Sequence, residues 1–254
     1  MKKAIIYTLA FAVIQIAMTQ LVQFFYGLMS DKETASLSAS QMIIAMTASS
    51  IVVIALFLYL HWAEVSRSYV RSRPWATLFW CALAAMGAII PSEFVQEFIP
   101  LPNIVEEEFD MILKDRWGYF AIGLFAPVCE ELVFRGAILR ALLRWTPRHW
   151  LAIAISALLF ALIHANPAQM PHAFLIGLLL GWLYYRTDSI VPGIVYHWVN
   201  NSIAYVVYNF YPDPQMKLID LFGSQRTVAA AVLFSLLILL PALYQLNLRL
   251  RKAK

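Results

Sequence analysis

Between positions 117 and 206, a few strongly polar side chains stand inside apolar stretches: Glu130, Glu131, Arg135, His164, His197, Asn200 and Asn201. One ionised group in hydrocarbon costs at least ~2.5–3.5 kcal/mol, so such a cluster asks for a role. On a helix, Glu131 and Arg135 are four apart with the acid first, the favourable order for an ion pair on one face. Glu130 is turned by ~100° from Glu131 and cannot share that arginine equally. It is left facing other helices, a carboxyl in a low-dielectric setting suited to general acid–base work. His197 and Asn201 are also four apart and point into one space, while Asn200 is turned away and expected to pack or to bind backbone. His164 closes the run FALIH.

A glutamate, two histidines and an asparagine drawn from three helices make a hydrolytic set. Glu130 would deprotonate a water that His164 helps to hold. His197 and Asn201 would donate to the developing oxyanion, an interaction typically worth ~3–4 kcal/mol per donor. Glu130, His164 and His197 equally suit zinc with one position left open for water. The helical zinc-protease spacing H-E-x-x-H is absent, and spacing alone leaves the choice between zinc and no metal open. The competing reading is structural: a buried Glu131–Arg135 pair and interhelical hydrogen bonds that glue helices together. His61, His149 and His172 fall at helix ends or in a loop and are expected to have interface roles.

The elements that must position this set are membrane helices. Of the 254 residues 61% are hydrophobic and 13% charged, against about 25% charged in soluble domains. Runs long enough to cross a bilayer cover roughly 4–29, 41–61, 75–91, 117–144, 149–165, 172–186, 190–208 and 227–247. The expected fold is an all-α polytopic membrane bundle of about eight transmembrane helices. The first run follows Lys2 and Lys3 like a signal peptide, but it continues to Met29 without a small-x-small site and reads as a retained anchor. The fifth and sixth runs are short and are separated by HANPAQMPH, irregular backbone tolerated at membrane depth only where protein or water surrounds it. Cys81 and Cys129 both lie in apolar runs, so no disulfide is expected.

Charge placement gives an orientation. With the N-terminus cytoplasmic, the inner segments hold Lys2, Lys3, Arg67, Arg71, Arg73, Arg140, Arg144, Arg148, Arg186, Arg249, Arg251, Lys252 and Lys254, thirteen in all. The outer segments hold the five residues Lys32, Lys114, Arg116, Lys217 and Arg226. That bias predicts a multi-pass protein of the cytoplasmic membrane with both termini inside. The net charge of +4 is therefore a topology signal and not a nucleic-acid patch. Residues 92–116 alternate acidic and apolar around two prolines, which predicts an outer amphipathic segment in the interface, or a gate to the polar cluster.

The runs EELVFR (130–135), FALIH (160–164) and HWVNN (197–201) resemble, in order, the E-E-x-x-x-R, F-x-x-x-H and H-x-x-x-N motifs of the CPBP family. That family is also called the CAAX protease and bacteriocin-processing (Abi) family. The resemblance covers 117–206, and LFAPVCEELVFRGAIL, HANP and YYRTDSIVPGIVYHWVNNSIA extend it between the motifs. It divides the chain into helices one to three with the outer segment (1–116), a catalytic core (117–206) and a last helix with a basic tail (207–254). What it implies is an intramembrane endopeptidase related to the enzyme that trims prenylated CAAX proteins. Glu130, His164 and His197 would be catalytic, Asn201 the oxyanion donor, and Glu131 and Arg135 supporting.

Members are described both as metalloproteases and as glutamate proteases. Asp188 departs from the family pattern where glycine is common, and Cys129 where a larger apolar residue is. The implied partners are the lipid bilayer and a membrane-associated peptide or protein, prenylated or not, and no nucleic acid. A non-catalytic member acting in bacteriocin immunity or partner binding predicts a lost motif residue, and none is lost. A proton-coupled carrier predicts matching halves, and none is seen.

Overall fold

The computed structural model of the chain describes residues 1–29, 37–213 and 216–252; Lys32 and Lys254, counted above for orientation, lie outside them. Among the described residues there is no strand. Among these residues, four helices are long and apolar enough to cross a membrane: α1 (Lys2–Met29), α2 (Ala39–Tyr59), α4 (Trp75–Gln96) and α12 (Gln225–Arg249). A five-residue turn, α3 (Arg67–Arg71), joins α2 to α4. The stretch expected at 117–144 is one continuous helical run of changing pitch. A π segment (Phe120–Phe125) leads into α6 (Ala126–Glu130), a second π segment (Glu131–Leu139) and α7 (Arg140–Trp145). Then come α8 (His149–Ile163), α9 (Met170–Thr187), α10 (Val191–Phe210) and the short α11 (Leu218–Phe222). Each expected apolar stretch thus coincides with helix, and the molecule is an all-α bundle. The runs that carry the polar cluster are shorter or less uniformly apolar because other helices shield them from lipid.

Two buried clusters hold the bundle together. One joins α1, α2, the second π segment, α8 and α9 around Phe57, Phe134, Ile138, Leu142 and Ile153. The other joins α4, α9, α10 and α12 around Cys81, Ala84, Leu180, Tyr196 and Leu246. Small residues set the closest approaches. A Cβ on Gly177 would stand 2.9 Å from the Ala157 Cβ, and one on Gly181 would stand 2.8 Å from Ile153. These glycines, one turn apart on α9, let its backbone lie against α8 in the small-xxx-small manner of membrane helices. On the outside, Leu9, Val13 and Ile16 of α1 and Leu233, Phe234 and Leu237 of α12 are exposed, an apolar coat suited to lipid.

The sharp turns have visible causes. Ala165 (φ 50°) enters the left-handed region right after His164 and ends α8. Asp188 (φ 54°) does the same at the end of α9, with its N–H on the Tyr184 carbonyl at 2.7 Å. Glycine is the usual residue in that helix-ending conformation, and aspartate is one of the few others that tolerate it. The departure noted at 188 therefore preserves the backbone geometry. Loop 165–169 is anchored by its one buried residue: Asn166 donates to Asn103 Oδ1 at 2.8 Å and accepts from the Ile104 N–H at 3.2 Å.

The amphipathic segment is more than an interfacial stretch. α4 runs through Pro91 to Gln96, and α5 (Glu106–Lys114) then lies across the bundle, burying Ile112 and Leu113 against Ile43, Ala121 and Ile122. Its polar edge is pinned by Tyr208, whose hydroxyl donates to Asp110, and by Tyr205, which donates to the Asp115 carbonyl at 3.0 Å.

Candidate active site

The buried foundation of the site is the pair expected from sequence. Arg135 Nη1 lies 2.7 Å from Glu131 Oε1, with the side chains 1% and 0% exposed. Further contacts help to offset the desolvation of such a pair, and Arg135 makes two. Arg135 Nη2 donates to the Gly177 carbonyl at 3.3 Å, and its guanidinium lies 4.4 Å above the Phe160 ring. The close α8–α9 packing brings that carbonyl within reach. Glu131 opens a π segment, whose wider turn is a frequent companion of functional sites and is not written in the E-E-x-x-x-R spacing.

Glu131 serves a second partner that sequence reasoning missed. Its Oε1 also lies 3.2 Å from His197 Nδ1. A carboxylate oxygen accepts, so Nδ1 carries the proton there and Nε2 is left for the cavity. His197 Nε2 stands 3.8 Å from Glu130 Oε2, completing a line Arg135–Glu131–His197–Glu130. Gly193, one turn before His197 on α10, leaves room for it: a Cβ there would come 2.5 Å from Glu131 Oε2.

His164 is fixed in the same way. Its Nδ1 is 2.8 Å from the Phe160 carbonyl, an acceptor, so its Nε2 is also the free nitrogen. The Phe160 ring stands edge-on to both histidines, 5.0 Å from His164 and 5.8 Å from His197. The phenylalanine of F-x-x-x-H is thus a spacer between them and the platform for Arg135. Asn201 donates one amide N–H to the Ile122 carbonyl at 3.0 Å and keeps a second. Asn200 is buried, donates to Asn201 Oδ1 at 3.3 Å and lines the cavity, so it is not turned away as its helical angle suggested.

Glu130, His164, His197 and Asn201 all line one cavity of about 530 Å³, walled by α4, α5, α9 and α10. His164 reaches it from the turn just beyond α8, which ends at Ile163. His172 lines it too. Expected at an interface, it sits in the first turn of α9 with Nδ1 2.8 Å from Ser92 Oγ, and among the described residues its Nε2 has no partner. Only the approach of α4, invisible in the spacing, puts it there. His61 and His149 stay outside: His61 borders the opposite end of the bundle, and His149 stacks on Tyr185 at 4.3 Å.

The zinc alternative meets a geometric objection. Both histidines present Nε2 as a metal ligand would, yet among the described residues no three His, Cys, Asp or Glu side chains close on a common point. The ligand set Glu130, His164 and His197 does not fit a metal as it stands.

Residues 113–203 match the family model described as Rce1-like, Type II CAAX prenyl endopeptidase. No curated protein and no solved structure matches the chain. The matched stretch contains Glu130, Glu131, Arg135, His164, His172, His197 and Asn201. The resemblance read from three short motifs therefore holds: over residues 113–203 this membrane protein is similar to the Rce1-like type II CAAX prenyl endopeptidase family.

Proposed function

We propose that the protein is an intramembrane endopeptidase in which Glu130 is the general base. The observation that carries this reading is the convergence of Glu130, His164, His197 and Asn201, from three helices, on one cavity within the membrane domain. Glu130 takes a proton from a water as the water oxygen attacks the scissile carbonyl carbon. His164, held by the Phe160 carbonyl, aligns that water through Nε2. The carbonyl π electrons move to oxygen, and the oxyanion accepts from the second Asn201 N–H and from His197 when Nε2 carries a proton. Collapse breaks the C–N bond, and Glu130 returns its proton to the leaving nitrogen. Glu131 and Arg135 act through His197, whose ring they orient.

The substrate of this reading is a membrane-associated peptide or protein segment, and the protein works as a multi-pass component of the cytoplasmic membrane with both termini inside. The test compares peptide termini in membranes carrying the wild type and Glu130→Gln. The substitution keeps volume and removes the base. New termini made only by the wild type are the expected result; equal termini with equal protein abundance would overturn it.

A further inference from the structure

The two ends of the bundle differ in charge, and the cavity opens at one of them. Basic residues collect where α1 begins and α7, α9 and α12 end: Lys2, Lys3, Arg140, Arg144 and Lys252 line two adjoining hollows there. Local bonds tie these turns together. Arg140 pairs with Glu64 at 2.5 Å, Ser66 donates to the Asp188 carbonyl at 2.7 Å, and Arg186 donates to Asn247 Oδ1 at 2.8 Å. Among the described residues, Glu64 and Asp188 are the acids at this end.

The cavity faces the other way. Its rim is made by Glu93 and Gln96 at the end of α4, by Asn103 and by Glu106 and Asp110 of α5. This end has its own stitching: Glu97 accepts from the Leu218 N–H at 2.5 Å, and Ala168 donates to the Pro102 carbonyl at 3.2 Å. Glu130, at the end of α6, lies on the cavity side of the buried Glu131–Arg135 pair.

A bias of lysine and arginine toward one set of loops fixes that set on the cytoplasmic side. Applied to these two ends, it turns the basic hollows inward and the cavity rim outward. We infer that the catalytic cavity opens on the extracytoplasmic face of the membrane, so that its substrate is a membrane-anchored polypeptide segment exposed on that face. A C-terminus presented from the cytoplasm would have to cross the buried ion pair and the packed second π segment to reach Glu130. The inference rests on the hydrolytic reading for its substrate and on geometry alone for its face.

Two readouts on the full chain in intact cells separate those parts. Single cysteines are introduced as Asn103→Cys and Glu108→Cys at the rim end and as Arg251→Cys at the basic end, and probed with a membrane-impermeant maleimide. The native Cys81 and Cys129 are buried and serve as a silent background. Rim cysteines that react in intact cells, with Arg251→Cys reacting only after permeabilisation, are expected. The reverse pattern, or labelling of both ends in intact cells, overturns the assigned face. Should Asn103→Cys perturb the loop that Asn166 holds, exposed Glu108 gives the same answer. An impermeant amine reagent then tags new N-termini. Glu130-dependent termini tagged in intact cells support the substrate assignment, and termini tagged only after lysis overturn it. Absence of Glu130-dependent termini in either condition overturns the hydrolytic reading and its substrate, while the maleimide pattern still decides the face.

Discussion

Glu130 and Glu131 are neighbours in sequence and opposites in environment. Glu131 is sealed between Arg135 and His197, whereas Glu130 lines a cavity. Neutralising each should therefore fail differently. Glu131→Gln leaves the Arg135 cation buried without its partner, a loss of about 3–5 kcal/mol. The expected result is a clearly lowered melting temperature in detergent, together with lost activity. Glu130→Gln should leave the melting temperature within about 1 °C, since an isosteric change at a partly exposed cavity side chain hardly alters packing, and abolish cleavage. Equal melting temperatures for the two variants would refute the division of labour. His172 makes a third contrast. If its unpartnered Nε2 meets the substrate or its water, His172→Gln lowers kcat on the order of 10²-fold with melting unchanged; an unaltered kcat returns His172 to a packing role beside Ser92.

The helices that hold these side chains were legible in the sequence to different degrees. The three motifs located Glu130, His164, His197 and Asn201, and the apolar runs located their helices, because hydrophobic length and four-residue spacing are local properties. Glu131 as the partner of Arg135 was legible for the same reason. The second bond of Glu131, to His197, was not, since it joins positions 66 apart in the chain. Nor was the widened turn at Glu131–Leu139, which depends on what packs around it, or the arrival of His172 beside the end of α4. Gly193 shows how tertiary contact overrides spacing. Its absent side chain is what admits Glu131 to the α10 surface. Gly193→Ala should force the carboxylate away, costing about 1–3 kcal/mol as overpacking usually does, and should shift His197 from Nε2 alignment with Glu130. Activity should fall further than that loss of stability explains, which a comparison of kcat with the folded fraction would reveal. A parallel fall of both would assign Gly193 to packing alone.

At the scale of the whole molecule, α5 presents its acidic first turn at the rim of the cavity, and Glu93 and Glu97 at the end of α4 add to that charge. A cleft rimmed by one sign of charge over low-dielectric walls concentrates ligands of the other sign and can raise association rates 10–10³-fold. Such steering is screened over about 8 Å at physiological ionic strength, so it should act mostly on encounter and hardly on the chemical step. Glu107 and Glu108 are exposed on α5 and border no catalytic side chain, which makes them the residues to test. For a substrate whose cleaved segment is flanked by lysines, E107Q/E108Q should lower kcat/KM roughly ten-fold at low salt, within that range, through KM, with kcat unchanged. Raising the salt should bring the wild type down toward the variant, because screening and neutralisation remove the same field. A glutamate-flanked substrate should respond in the opposite direction, gaining from the substitution. Identical behaviour of the two substrates would show that the acidic rim plays no part in selection and that the apolar walls of the cavity choose the peptide unaided.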